Sequence, residues 1–227
     1  MSENSPKFAV VLSGCGNFDG SEIHEATLGL LAIDEQGGQY QCFAPDIEQG
    51  RTIDAYRKQV VAVKGESGNR RVLSESARIA RGNILPLSEL DLDKFDAVVF
   101  VGGQGAINNW SNYASQGADF EVDSEISQVL RQAYAKQKWI GAMCIAPVVV
   151  AKVLGRHGIH VTIGNDSKVA AEIESFGAVH ENRAATEACV DEKHHIATTP
   201  CYMLAKSIKE IYQGNSALIK AIVAGCK

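Results

Sequence analysis

Cys144 stands where the apolar run Trp139–Met143 breaks into a second apolar run, Ile145 to Leu154, with Pro147 in the latter's first turn. Proline costs nothing in a first helical turn, where its missing N–H has no partner to lose. The pattern therefore reads as strand, sharp turn, helix, with a thiol at the turn. A cysteine so placed faces the N–H groups of a helix N-terminus, which favour a thiolate relative to the ordinary value near ~8.5. That is a nucleophile elbow with sulfur in place of oxygen. The alternative reading is a small buried hydrophobe, a common fate of free cysteine. Two further features bear on the choice. Gly102 and Gly103 follow the run Ala97–Val101 and permit the close backbone approach that an oxyanion hole needs; taken alone they are also an ordinary tight turn. Glu25 lies one turn into a helical pattern, beside Ala26 and on nearly the face of Gly29. It offers a carboxyl for proton transfer or, equally, a solvated helix residue.

The elements that must position these groups alternate strand with helix. FAVVLSG (8–14), YQCFAP (40–45), AVVFVGG (97–103) and WIGAMC (139–144) read as buried parallel strands. IHEATLGLLAI is helical, capped by Asp19 with Glu22 and stopped at Gly37–Gly38. Helices are also expected over 74–81, 122–136, 168–176, 203–212 and 217–224, with HVTIG (160–164) as a strand and EACV/HIAT as a hairpin joined by DEKH. The stretch 46–69 is polar and least patterned, with VVAV (60–63) as an outlying strand. Such alternation makes right-handed βαβ units and a mostly parallel sheet covered by helices on both faces, a three-layer α/β sandwich. In that architecture ligands bind beyond the carboxyl ends of the strands.

The 227 residues, 45% hydrophobic and 22% charged, suffice for one domain with a full core, read here as 7–227. A net charge of -5 without a basic cluster argues against nucleic acid and anionic membrane as partners. The opening MSENSPK has no apolar leader pattern, and no run approaches the ~18 apolar residues of a membrane span, so a cytoplasmic setting is expected. Six cysteines without a CxxC pair point to free thiols and to no metal site.

As a set, LSGCGNFDGSEIHEA, CFAPD, ARGNILPL, VGGQGAINNWSNYAS, MCIAP, TIGND and TTPCYMLA closely resemble the isoprenoid-biosynthesis glyoxalase family (ElbB-like, also called enhancing lycopene biosynthesis protein). That family falls in the PfpI superfamily, related to class I glutamine amidotransferases. The resemblance runs from Phe8 over essentially the whole chain and implies a flavodoxin-like sheet. It also implies a homodimer and a small reactive aldehyde as substrate, with no cofactor. Residue by residue, it puts the nucleophile on Cys144, its partner carboxyl on Glu25 and the oxyanion N–H groups on Gly103 and Ile145. Cys15, Asn109, Asn165 and Cys201 fall in segments that border the pocket, with Cys15 a candidate to resolve an oxidised Cys144. Cys42, Cys189 and Cys226 read as core or terminal.

One departure stands out. The deglycase branch of the superfamily places a histidine after the strand that here reads HVTIGND, where this chain has Gly164 and Asn165. His24 adjoins Glu25, but helix neighbours point about 100° apart. His157 and His160 fall at the wrong end of the sheet, and His194 and His195 near a hairpin turn. The expected machinery is thus a Cys144–Glu25 dyad. It implies a glutathione-independent glyoxalase that turns glyoxal or methylglyoxal into glycolate or lactate. The alternative is a regulatory or redox-sensing protein that uses the same cysteine with little turnover.

Overall fold

The structure, a computed structural model, describes residues 5–226. Residues 1–4 of the N-terminal stretch and Lys227, the last residue of the expected domain, lie outside it. The chain order is β1 (Lys7–Val11), α1 (Ile23–Glu35), β2 (Gln39–Ala44), β3 (Arg51–Asp54), β4 (Gln59–Val63), α2 (Val72–Ile79), β5 (Ile84–Pro86), β6 (Ala97–Phe100), α3 (Gly105–Asn108), α4 (Tyr113–Gln116) and α5 (Ser124–Ala135). It continues with β7 (Trp139–Met143), α6 (Ala146–Leu154), β8 (His160–Val161), α7 (Ser167–Ser175), β9 (Val179–His180), β10 (Cys189–Asp191), β11 (Ile196–Thr199) and α8 (Ile208–Gly225).

Seven strands form the central sheet in the order β10-β11-β7-β6-β1-β2-β5. All neighbours are parallel except the edge pair β10 and β11. Within it, β2, β1, β6, β7 and β11 reproduce the flavodoxin-like order, whose switch point lies between β1 and β6. The inner strands are buried over most of their length because helices cover both faces; β6 and β7 expose no residue. Helices α1 and α8 pack together against one face, and α5 and α6 against the other. Among the described residues, no helix is long and apolar enough to cross a membrane.

Three expectations are corrected. Helix α1 is capped by Glu22, whose carboxylate accepts the Glu25 N–H at 2.8 Å. Asp19 instead accepts the Ile53 N–H at 2.7 Å and so ties down the β3–β4 hairpin, which is what the polar 46–69 stretch forms. HVTIG yields only a two-residue strand outside the main sheet. There, Thr162 N–H donates to the Thr198 hydroxyl and Gly164 N–H to the Thr162 hydroxyl, so side chains take the bonds a ladder would need. Finally, the C-terminal segments are one helix, α8. Gly214 lies inside it, at a point where a Cβ would come within 2.4 Å of the Ala185 carbonyl oxygen.

Candidate active site

Strand β7 ends at Met143, and Cys144 turns the chain directly into α6 with φ at +59°. A side chain at this left-handed φ costs about 1–2 kcal/mol and persists only where packing over-determines it. Here the Cys144 N–H is fixed to the Thr199 carbonyl of neighbouring β11 at 2.9 Å. The strained turn aims the thiol out of the sheet plane toward the carboxyl end of β6, the arrangement of a nucleophile elbow. Two backbone N–H groups, those of Gly103 and Ile145, point at the sulfur.

Gly102 explains how the groups fit together. A Cβ on it would lie 2.4 Å from both Cys144 Cβ and Glu25 Oε2, so only a glycine lets thiol and carboxyl converge over β6. Gly103 follows with φ at +98° and an equally tight boundary, the Glu22 nitrogen at 2.4 Å from a built Cβ. The Glu22 N–H donates to the Gly102 carbonyl at 3.0 Å, which locks the start of α1 onto the same turn.

Glu25 is wholly buried. Its Oε1 accepts the Tyr202 N–H at 3.2 Å, and its backbone carbonyl accepts the Asn215 side chain at 2.9 Å from α8. Oε2 has no partner of conventional geometry and faces the Cys144 thiol. Burial, and then the nearby Glu22 charge, push the Glu25 carboxyl up to about 8, against the pull of the Tyr202 N–H and Cys144. Around neutral pH the carboxyl keeps its proton.

The thiol does not follow the expectation of a thiolate-favouring elbow. Burial first, then the Glu25 charge, push Cys144 well above the ordinary thiol value, outweighing the Gly103 and Ile145 N–H groups. The α6 terminus supplies one donor, Ile145, and the glycine turn a second, Gly103, whereas a cysteine 7% exposed has lost nearly all its water. Cys144 and Glu25 therefore form one coupled acid pair.

The other candidates are sorted by the structure. Cys201 is buried beside the pair: its thiol donates to Asn215 Oδ1 at 3.2 Å and senses the charges of Glu25 and Cys144. Cys15 is half-buried among Glu75, Arg78, Asp19 and Arg70, not against Cys144. Asn109 stitches loops together, donating to the Ser13 and Asp19 carbonyls and accepting from Gly50 N–H, so its amide is spent on structure. Asn165 is exposed. His160 pairs with Glu181, His194 with Asp191, and His195 with the Gln137 carbonyl, while His157 stacks on Tyr134; none reaches Cys144. Sequence reasoning missed Glu22 and Tyr202. Glu22 stands one helical turn before Glu25, a signal that was absorbed into a capping box with Asp19. Tyr202 carries no local signal. All six cysteines are free. Among the described residues, no three His, Cys, Asp or Glu side chains are grouped to hold a metal ion.

A cysteine elbow at the carboxyl edge of a flavodoxin-like sheet, with a glycine turn and a buried glutamate converging on it, defines the class I glutamine amidotransferase-like superfamily. Similarity narrows the assignment. The chain is 38% identical over 226 residues to the ES1 protein homolog, mitochondrial, of Rattus norvegicus, covering 96% of this chain and 83% of that protein. It is 40% identical over 226 residues to the human glutamine amidotransferase-like class 1 domain-containing protein 3, mitochondrial, covering 96% and 82%. A crystal structure of an isoprenoid biosynthesis protein with amidotransferase-like domain from Ehrlichia chaffeensis superposes with a TM-score of 0.90 at 34% identity, over 98% of this chain and all of that one. No protein-family model matches the chain. The chain belongs to the ES1 family of glutamine amidotransferase-like class 1 domain proteins.

Proposed function

We propose that the chain is a glutathione-independent glyoxalase acting on glyoxal or methylglyoxal, of the ElbB-like kind. The observation that carries this reading is the convergence of the Cys144 thiol, the buried Glu25 carboxyl and the Gly103 and Ile145 N–H groups at one glycine turn. The thiol adds to the aldehyde carbon of methylglyoxal and gives a hemithioacetal, whose forming oxyanion the two N–H groups stabilise. Glu25, having yielded its proton, takes the hydrogen from that carbon and returns it to the adjacent one through an enediol. The product is a lactoyl thioester on Cys144. Water cleaves it to lactate and restores the thiol. With the Glu25 carboxyl pushed up to about 8, both its acid form and its base form are on hand close to neutrality.

A second reading, a redox-sensing or regulatory protein with little turnover, draws on the missing triad histidine, in whose expected place the chain has Gly164 and Asn165. Incubating the purified chain with methylglyoxal in the absence of other thiols and assaying lactate separates the two. Catalytic lactate formation supports the glyoxalase. No lactate, with Cys144 oxidised by mild peroxide, supports the sensor. A homodimer and a cytoplasmic setting belong to the same proposal, although the rat and human relatives are named mitochondrial. Sedimentation and fractionation of the source cells test them. The link to isoprenoid biosynthesis draws on the family resemblance and on the name of the Ehrlichia protein.

A further inference from the structure

The His24 side chain leaves α1 on a different face from Glu25: Glu25 is buried and His24 half-exposed. Yet His24 is tied to the site by another route. Its Nδ1 lies 2.8 Å from the Tyr202 hydroxyl, with the two rings 5.9 Å apart. Tyr202 is also the residue whose N–H donates to Glu25 Oε1. It directly follows Cys201, which is held at φ +46° and bonded through sulfur to Asn215 of α8. A tight turn leaving β11 is thus fastened to α8 at one end and to α1 at the other, and Glu25 hangs from its middle.

We propose that His24 and Tyr202 are a pair of positioning residues whose side-chain hydrogen bond holds the Tyr202 N–H on Glu25 and thereby keeps the free carboxyl oxygen on Cys144. The inference rests on the Cys144–Glu25 dyad of the preceding section but not on its substrate. With Oε1 fixed by an N–H, rotation of the carboxyl is blocked, and Oε2 is left with the thiol as its only neighbour of use. The pair acts through Glu25 and needs no contact with substrate. The ionisable groups around the Glu25 carboxyl are Glu22 at the start of α1, Cys144 at the end of β7, and Cys201 and Tyr202 after β11. His24 Nδ1 lies 4.0 Å from Glu22 Oε1.

The test reads the thiol rather than turnover. The rate of Cys144 alkylation by iodoacetamide, followed by peptide mass spectrometry from pH 6 to 10 under native conditions, reports the ionisation of the pair. A hydrogen bond between carboxyl and thiol stabilises the singly ionised pair, so loosening it moves the alkylation midpoint upward. Tyr202→Phe keeps ring and N–H but deletes the hydroxyl; His24→Leu deletes the partner on an exposed position that threatens folding little. Each is expected to slow alkylation at pH 8 by about threefold to tenfold, the scale of one hydrogen bond. The double variant should be no slower than either single one, and His24→Gln, which retains a hydrogen-bonding side chain, should restore most of the rate. Unmoved midpoints in Tyr202→Phe and His24→Leu, when Glu25→Gln does move it, overturn the positioning role and leave the dyad standing. If Glu25→Gln fails to move it too, the dyad itself falls, and the positioning role with it.

Discussion

Two cysteines stand at the carboxyl ends of parallel strands of one sheet, and only one of them is built into a site. Cys15 follows β1 through Ser13 and Gly14, within a loop whose flanking glycines adopt φ of +111° and +113°. Those glycines absorb the strain, so Cys15 itself sits relaxed and half-buried among charges of both signs. Cys144 has no such loop. Helix α6 begins two residues later, the left-handed turn falls on the cysteine itself, and β11 on one side and β6 on the other fix it. Position at the end of a strand is therefore not enough to make a presented thiol. The strain must fall on the residue that does the chemistry, and the glycine must fall opposite it, as Gly102 does.

The largest expected effect breaks this comparison outright. Cys144→Ala should reduce lactate formation to background, a loss of at least about a thousandfold, whereas Cys15→Ala should leave the rate within about twofold. Equal losses in the two variants, measured side by side, would erase the distinction between the two thiols. Next in size, Glu25→Gln should lower lactate formation by ~10²–10⁴, as expected for removing a group that shuttles a proton. Gly102→Ala forces a methyl into space already held by Glu25 and Cys144. It should cost about 1–3 kcal/mol in denaturant unfolding along with most of the activity. Retained activity with an unchanged midpoint would show that the convergence at Gly102 is looser than drawn.

Stability against pH gives a subtler test. The folded Glu25 value of about 8 lies above its ordinary 4.5, so between these limits the folded protein binds a proton that the unfolded chain has released. The group's contribution is then full at low pH and is lost as pH rises from about 5 to about 8, an effect of a few kcal/mol. Glu25→Gln should flatten that part of the profile and be relatively more stable at pH 8 than at pH 5. A parallel profile in the two proteins would mean that Glu25 is ionised at neutrality. Smallest of all, Cys15→Ser should shift stability by no more than about 0.5 kcal/mol, read from the same unfolding curves.

Much of the fold was legible because its signals are local. Apolar runs marked β1, β6 and β7, and a proline after a cysteine marked the elbow. The readings that failed depend on tertiary contacts. The gap expected between helices over 203–212 and 217–224 is absent from α8, where Gly214 packs against Ala185. Asp19 looks like a cap until Ile53 of the hairpin takes its carboxylate. In the site, Cys144 and the glycine turn announce themselves within a few residues, and resemblance supplied Glu25 its partner. Tyr202 and Asn215 are separated from Glu25 by 177 and 190 positions, and nothing near them in the chain points back. The thiol's ionisation was misjudged for a related reason: a helix N-terminus is visible in sequence, but the loss of water around a sulfur is not.

The central claim is that Cys144 forms a covalent bond with the aldehyde and Glu25 then moves the proton. Native intact-protein mass spectrometry of Glu25→Gln in the presence of methylglyoxal, set beside the same protein carrying Cys144→Ala or Cys15→Ala, tests it most directly, since the first step should proceed while the second stalls. The account predicts an adduct of one methylglyoxal on Cys144, lost on dilution and absent from Cys15 of the same protein. No adduct on the Glu25→Gln protein, or one that survives Cys144→Ala, would contradict it.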